Sequence, residues 1–211
     1  FDANNELEAA LRASGKDNQA DMVRNILPSG VECIFVRQPE QLGLGHAVLC
    51  AERAVGKDTF AVLLADDFIT DQSPGATADL INAYQVNGKS QLSVMEVDGP
   101  AISNYGVVVP DQGGRGIVGL TEKPKLKDAP SKLASIGRYV LTSDIFNILR
   151  DVPTGSGGEI QLADAINIQA KRGSVNTVPI KGKRFDCGSV NGFVEATNFE
   201  FKKFTASEDN F

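Results

Sequence analysis

One histidine stands in 211 residues, beside no tryptophan, two methionines and three cysteines. A lone imidazole excludes a His-rich zinc site and most Ser-His-Asp triads. Cys33, Cys50 and Cys187 are scattered and form no C-x-x-C pair, so a disulfide framework is excluded too. No apolar run approaches the roughly 20 residues that a membrane span needs. The opening Phe1-Asp2-Ala3-Asn4-Asn5-Glu6 does not resemble a signal peptide. Positive charge is in deficit, with 21 Lys and Arg against 27 Asp and Glu for a net charge of −6. That argues against a general affinity for nucleic acid or anionic membrane, while leaving room for a local basic pocket that holds phosphate. What is present is ordinary globular composition, 42% apolar and 23% charged, enough to bury a real core. The expectation is a soluble, cytoplasmic protein whose chemistry runs on carboxylates, lysine, backbone groups and a hard metal ion.

Along the chain, Leu7, Ala10 and Leu11 have helical spacing, and a second helix is predicted over about 18–27, stopped by Pro28 and Gly30. Val31-Glu32-Cys33-Ile34-Phe35-Val36 reads as a strand. Leu44, Ala47, Val48, Ala51 and Val55 line one face of the next helix. Phe60-Ala61-Val62-Leu63-Leu64-Ala65 is a continuous apolar run, the pattern of a strand covered on both faces. A helix carrying Leu80, Ile81 and Tyr84 follows, then a strand over 92–97. The alternation of strand and helix predicts a mainly parallel, doubly wound sheet. From Tyr105 the texture becomes shorter strands and turns, including 134–141, which predicts a small antiparallel insertion at the sheet's edge. Helices after Ser143, over about 159–171 and over about 190–204 complete the chain, with 205–211 a frayed polar end.

Ala65-Asp66-Asp67 closes the apolar run. In open α/β sheets the ligand crevice lies beyond the carboxyl ends of the strands, and Mg²⁺ prefers one or two carboxylates together with substrate phosphates. A solvated turn is the plain alternative. The segment from Arg37 to Ala47 joins strand to helix through Gly43 and Gly45, which permits close backbone approach, and the Gln38 amide can pair with a base edge. No Gly-Lys-Ser/Thr follows, so this is not a Walker loop. Glu122-Lys123-Pro124 ends a strand, where a lysine can neutralise phosphate and a glutamate can accept hydroxyl hydrogen bonds. An exposed charged pair is the alternative. Gly155-Ser156-Gly157-Gly158-Glu159 is a flexible connection into a helix. Phe185-Asp186-Cys187-Gly188 offers a second metal carboxylate or a helix cap.

In order, these segments resemble the bacterial UTP–glucose-1-phosphate uridylyltransferase (UDP-glucose pyrophosphorylase) family. The matching stretches include Leu42-Gly43-Leu44-Gly45-His46-Ala47, Leu64-Ala65-Asp66-Asp67, Tyr105-Gly106-Val107-Val108, Glu122-Lys123-Pro124 and Gly137-Arg138-Tyr139. Gly158-Glu159-Ile160-Gln161-Leu162-Ala163-Asp164 and Asp186-Cys187-Gly188 complete them. The resemblance implies one nucleotidyltransferase domain over residues 1–204, an α/β, Rossmann-like nucleotide-diphospho-sugar transferase fold with a mixed, mainly parallel sheet. It implies the conversion of UTP and glucose 1-phosphate to UDP-glucose and pyrophosphate, with Mg²⁺ as cofactor, in a homo-oligomer. By the same resemblance Gln38 and Gly43 contact uracil, Asp66 and Asp186 hold the metal, and Gly106, Glu122 and Gly137 position the glucose hydroxyls. Lys123 grips the sugar phosphate and, with Asp66, carries the catalysis. A relative using another base or sugar, and a non-catalytic regulatory paralogue, stay open as alternatives.

The family's G-x-G-T-R loop and its P-K segment, which cradle the triphosphate, are not among these 211 residues. The chain is therefore expected to be a C-terminal portion that lacks the first strands. Backbone donors around a transferring phosphoryl group are each worth about 3 kcal/mol, so this chain alone should turn over orders of magnitude more slowly than one supplied with that segment. A pyrophosphate-release assay on both checks this, and equal rates would show that the nucleotide site lies elsewhere.

Overall fold

The computed structural model describes residues 2–70, 74–114 and 116–208, which divide into two compact units, Phe1–Arg37 and Gln38–Phe211. In the first unit, α1 (Asn5–Ala13) begins where the Asn4 side chain accepts the Leu7 N–H, satisfying one of the helix's orphan donors. It pairs with α2 (Asp17–Arg24), and Arg12 bridges the two through Glu8 and Asp21. The strand expected over 31–36 does not form, although the segment is apolar. A strand exists only by pairing, and no ladder reaches these residues among those described.

The second unit opens with α3 (Leu44–Cys50) and α4 (Glu52–Val55), then β1 (Phe60–Leu63), β2 (Asp67–Thr70), α5 (Ala76–Asn87) and β3 (Ser90–Glu96). Then come β4 (Gly106–Pro110), β5 (Ile117–Glu122), β6 (Leu133–Leu141), α6 (Asp144–Asp151) and α7 (Leu162–Lys171). The chain ends in β7 (Val175–Pro179), β8 (Lys183–Asp186) and α8 (Val190–Glu208), so residues 205–208, expected to fray, continue the helix. The remaining residues of that end, 209–211, lie outside the described ones.

The architecture is a mixed α/β sheet in the order β5-β4-β6-β3-β7, with a separate two-stranded sheet of β2 and β8. Of the pairings in the larger sheet, β3 with β7 is parallel, while β1, β3 and β4 all run antiparallel to β6. The segment 134–141, expected within the edge insertion, is instead part of the central strand. β3 runs along one edge of β6 over most of its length. On the other edge, β4 pairs with Ala134 and Ser135, and β1 pairs from Arg138 to Leu141. Two strands thus meet end to end beside Gly137, and that junction creates the cleft described below.

β3 is buried on both faces from Ser90 to Val94, as its near-continuous burial requires of a sheet layered on two sides. Leu92 and Val94 join a core with Val48, Ile145, Phe146, Leu149, Leu162 and Ile166 from α3, α6 and α7. α5 packs against β3 and β6 and buries Leu80 completely. The apolar run 60–65 departs from expectation. Phe60 stacks on Phe146 with ring centroids 4.9 Å apart, but Ala61 and Leu63 are exposed. Half-buried and exposed residues alternate along β1, so one of its faces is covered and the other open. Beyond the hairpin, Asn167 of α7 acts as a one-residue strand: its side chain both accepts the Leu120 N–H and donates to the Leu120 carbonyl.

Tyr139 of β6 packs at the edge of this core, and its hydroxyl is pushed up from 10.0 to about 12, by burial first and then by the negative charges of Asp67, Glu122 and Asp66. The fold therefore retains a proton that the unfolded chain loses near pH 10, so the stability it contributes is complete below pH 10 and is lost as pH rises towards 12. In urea titrations at pH 9 and pH 11.5, the wild type should lose on the order of 2 kcal/mol more than Tyr139→Phe. Equal losses would place this phenol in water.

Candidate active site

Beside Gly137 lies a cleft of about 200 Å³, lined by Gly106, Glu122, Ser135, Gly137, Tyr139 and Gln161 among others. Ser135, Gly137 and Tyr139 alternate along β6 and line the cleft together. Gly137 also has a structural reason to be glycine. A Cβ there would stand 2.5 Å from Asp67 Oδ2 and 2.7 Å from Leu64 Cβ, so β1 and β2 could not approach. Leu64 N–H donates to the Gly137 carbonyl at 2.9 Å, and Gly137 N–H donates back to Asp67 Oδ2.

The two adjacent aspartates engage different parts of the fold: Asp66 lies in a turn in which the Asp67 N–H donates to the Leu64 carbonyl at 3.2 Å, and Asp67 opens β2. Asp67, 7% exposed, receives Gly137 N–H on one oxygen and the Arg184 guanidinium on the other, while its carbonyl accepts Arg138 Nη2 at 3.0 Å. Arg184 also donates to the Tyr105 hydroxyl at 3.1 Å and lies over that ring. Asp67 is thus fully occupied within the fold. Asp66 is exposed, and its carbonyl accepts the Cys187 N–H at 2.7 Å.

Register brings the third aspartate alongside, because β2 pairs antiparallel with β8 and sets Asp67 opposite Asp186. Asp66 Oδ2 and Asp186 Oδ1 each lie 3.2 Å from the point that a Cβ on Gly188 would occupy. Two carboxylates therefore face one space that a glycine keeps clear. Hard oxygens in that arrangement fit Mg²⁺, which takes one or two carboxylates and completes its shell from water and phosphate. Among the described residues no third His, Cys, Asp or Glu gathers with them.

The remaining expected site residues divide into those in the cleft and those beside it. Gly106, Glu122 and Gly137 come together there, with Glu122 Oε2 at 3.1 Å from where a Gly106 Cβ would stand. Lys123 is next in sequence, yet its side chain is exposed and does not line the cleft. Its backbone is unusual, with a φ of 42° and an N–H donated to the Tyr105 carbonyl at 3.0 Å. Gln38 and Gly43 belong to a neighbouring loop. Leu42 and Gly45 exchange backbone hydrogen bonds with Ile160, at 2.8 and 2.9 Å. A Cβ on Gly43 or Gly45 would come within 2.9 or 2.7 Å of the Ile160 carbonyl, so both glycines serve this close approach. The same contact connects the loop to the cleft, because Gln161 lines it and donates to Glu159 at 2.8 Å.

Sequence reasoning missed Arg184, Arg138 and Tyr105. Tyr105 and Arg138 stand in stretches that match the family, but their role comes from Asp67, more than 30 residues away in sequence from each of the three.

The family model described as nucleotidyl transferase matches residues 4–203. A UTP–glucose-1-phosphate uridylyltransferase of Pseudomonas aeruginosa is 40% identical over 210 residues, 97% of this chain and 74% of its own length. Among solved structures, a UTP-bound enzyme of this kind from Acinetobacter baumannii superposes with a TM-score of 0.86 at 36% identity, covering 98% of this chain and 76% of its own. A UDP-glucose pyrophosphorylase complexed with UDP-glucose gives 0.79 at 41%, covering 90% and 73%. Likeness of that extent makes this chain a member of the nucleotidyl transferase family, among the UTP–glucose-1-phosphate uridylyltransferases.

Proposed function

We propose that this chain carries the centre that forms UDP-glucose and pyrophosphate from UTP and glucose 1-phosphate. The observation that carries the reading is the shared space of Asp66 and Asp186 over Gly188, on the same side chain network as the Gly137 cleft. The relatives with UTP and UDP-glucose bound supply its substrate class.

In this reading Gln38 and Gly43 hold the uracil, and Asp66 and Asp186 hold Mg²⁺. The metal, when bound, neutralises phosphate charge, which is most of what phosphoryl transfer asks of a protein. Glu122 accepts glucose hydroxyls, and Gly106 and Gly137, which line the same cleft, help to position them. Lys123 swings its flexible ammonium onto the sugar phosphate. An oxygen of that phosphate attacks the α-phosphorus of UTP in line, and pyrophosphate leaves. Positioning carries the reaction, so neither histidine nor cysteine need act as a nucleophile. The reading extends to a cytoplasmic enzyme of carbohydrate metabolism, consistent with three free cysteines. It also extends to a homo-oligomer, for which the exposed Val190, Phe193, Val194 and Phe201 of α8 offer apolar contact surface.

The two aspartates should separate cleanly by mutation. In a protein joining this chain to the family's Gly-rich segment, Asp66→Asn should lower UDP-glucose formation at least about 100-fold with little change in urea stability. Asp67→Asn should instead destabilise by about 3 kcal/mol, because it strands the buried Arg184 charge. The reverse pattern would exchange their roles.

Lys123→Ala should lower kcat/KM for glucose 1-phosphate by about two orders of magnitude, the scale of a lost phosphate clamp. An unchanged value would leave Lys123 as a surface residue beside the cleft.

A further inference from the structure

The chain's only histidine makes two contacts that bear on how Gln38 is presented. Gln38 Nε2 lies 3.1 Å from the Gly43 carbonyl and 3.1 Å from His46 Nδ1, and His46 Nε2 lies 3.8 Å from Cys50 Sγ. A carbonyl can only accept, so the atom facing Gly43 must be the amide nitrogen and cannot be its oxygen. The second hydrogen of that nitrogen then points at Nδ1, which must present a lone pair. A neutral imidazole with a free Nδ1 carries its proton on Nε2, directed at Cys50. Both amide hydrogens are consumed, and Oε1 has no partner among the described residues. Gln38 can thus offer a ligand an acceptor and no donor.

We propose that His46 is a positioning residue for base selection: held by Cys50 in the Nε2–H form, it fixes the Gln38 amide so that Oε1 alone meets the base. This rests on the uridine reading above. A uracil ring nitrogen N3 carries a hydrogen and pairs with such an acceptor. The N3 of cytosine carries a lone pair and would face Oε1 with no hydrogen between them. Discrimination follows from one group that the protein does not let rotate.

Two measurements on the 211-residue chain test it. With one histidine, long-range ¹H–¹⁵N correlation of the imidazole reports the tautomer without ambiguity, and the Nε2–H form is expected. Calorimetric dissociation constants for UDP-glucose and CDP-glucose should favour UDP-glucose in the wild type. His46→Leu should narrow that preference about tenfold. His46→Asn, whose side-chain oxygen can accept in place of Nδ1, should restore most of it. A purely packing role for His46 would shift stability and leave the preference alone. The Nδ1–H form, or an unchanged preference in His46→Leu, overturns the proposal while leaving the uridine reading intact. A wild type that binds both sugar nucleotides equally overturns the uridine reading and this role with it. If His46→Leu does not fold, the wild-type tautomer still decides.

Discussion

The buried pair of Asp67 and Arg184 is the interaction on which the site depends. β2 and β8 set two carboxylates opposite each other, a cross-strand arrangement that by itself is repulsive. Arg184 resolves it by taking Asp67, and it lies 3.9 Å from Asp186. A buried ion pair is a weak source of stability when compared with apolar packing, but breaking one leaves an uncompensated charge. Its value here is positional. Asp67 is also bonded to β6, by its carboxylate to Gly137 and by its carbonyl to Arg138, so one residue helps tie the small sheet to the central strand of the large one. With Asp67 tied down, the turn that precedes β2 leaves Asp66 facing Asp186 across Gly188.

Glycine is the second constraint, and it acts by absence. At Gly137 the missing side chain allows Asp67 and Leu64 to reach β6, and at Gly188 it keeps open the space that Asp66 and Asp186 face. At Gly43 and Gly45 it admits the Ile160 carbonyl. What all four have in common is that the missing side chain lies against a segment far away in the chain.

The cleft itself is a consequence of strand economy. β4 and β1 share one edge of β6 without overlapping, and the gap between their ends exposes the Ser135-Gly137-Tyr139 face. A continuous neighbour along that edge would have closed it. Glu122 and Gly106 enter because β4 and β5 pair Gly106 with Glu122 at the same end. Substrate-sized room is thus obtained without loosening the core beneath, where Leu92, Leu141 and Leu149 stay fully buried.

Much of this was legible in the amino-acid order. Helical spacing located α1, α3, α5 and α8, because an amphipathic stripe is a local property. The α/β class followed from alternation of apolar runs with helices, and the motif order pointed to a nucleotidyl transferase. Asp66, Asp186 and Glu122 could be singled out as carboxylates at strand ends, and Gly106 and Gly137 through the family resemblance. The sequence by itself determined which chemical groups are available and roughly which elements carry them. Tertiary structure decided the rest: that 31–36 forms no strand, that 60–65 is open on one face, and that 134–141 is central. It also decided that Asp67 belongs to Arg184 while Asp66 faces Asp186. The reason is physical: pairing, burial and charge compensation depend on residues distant in the chain, and no local pattern encodes which distant partner arrives.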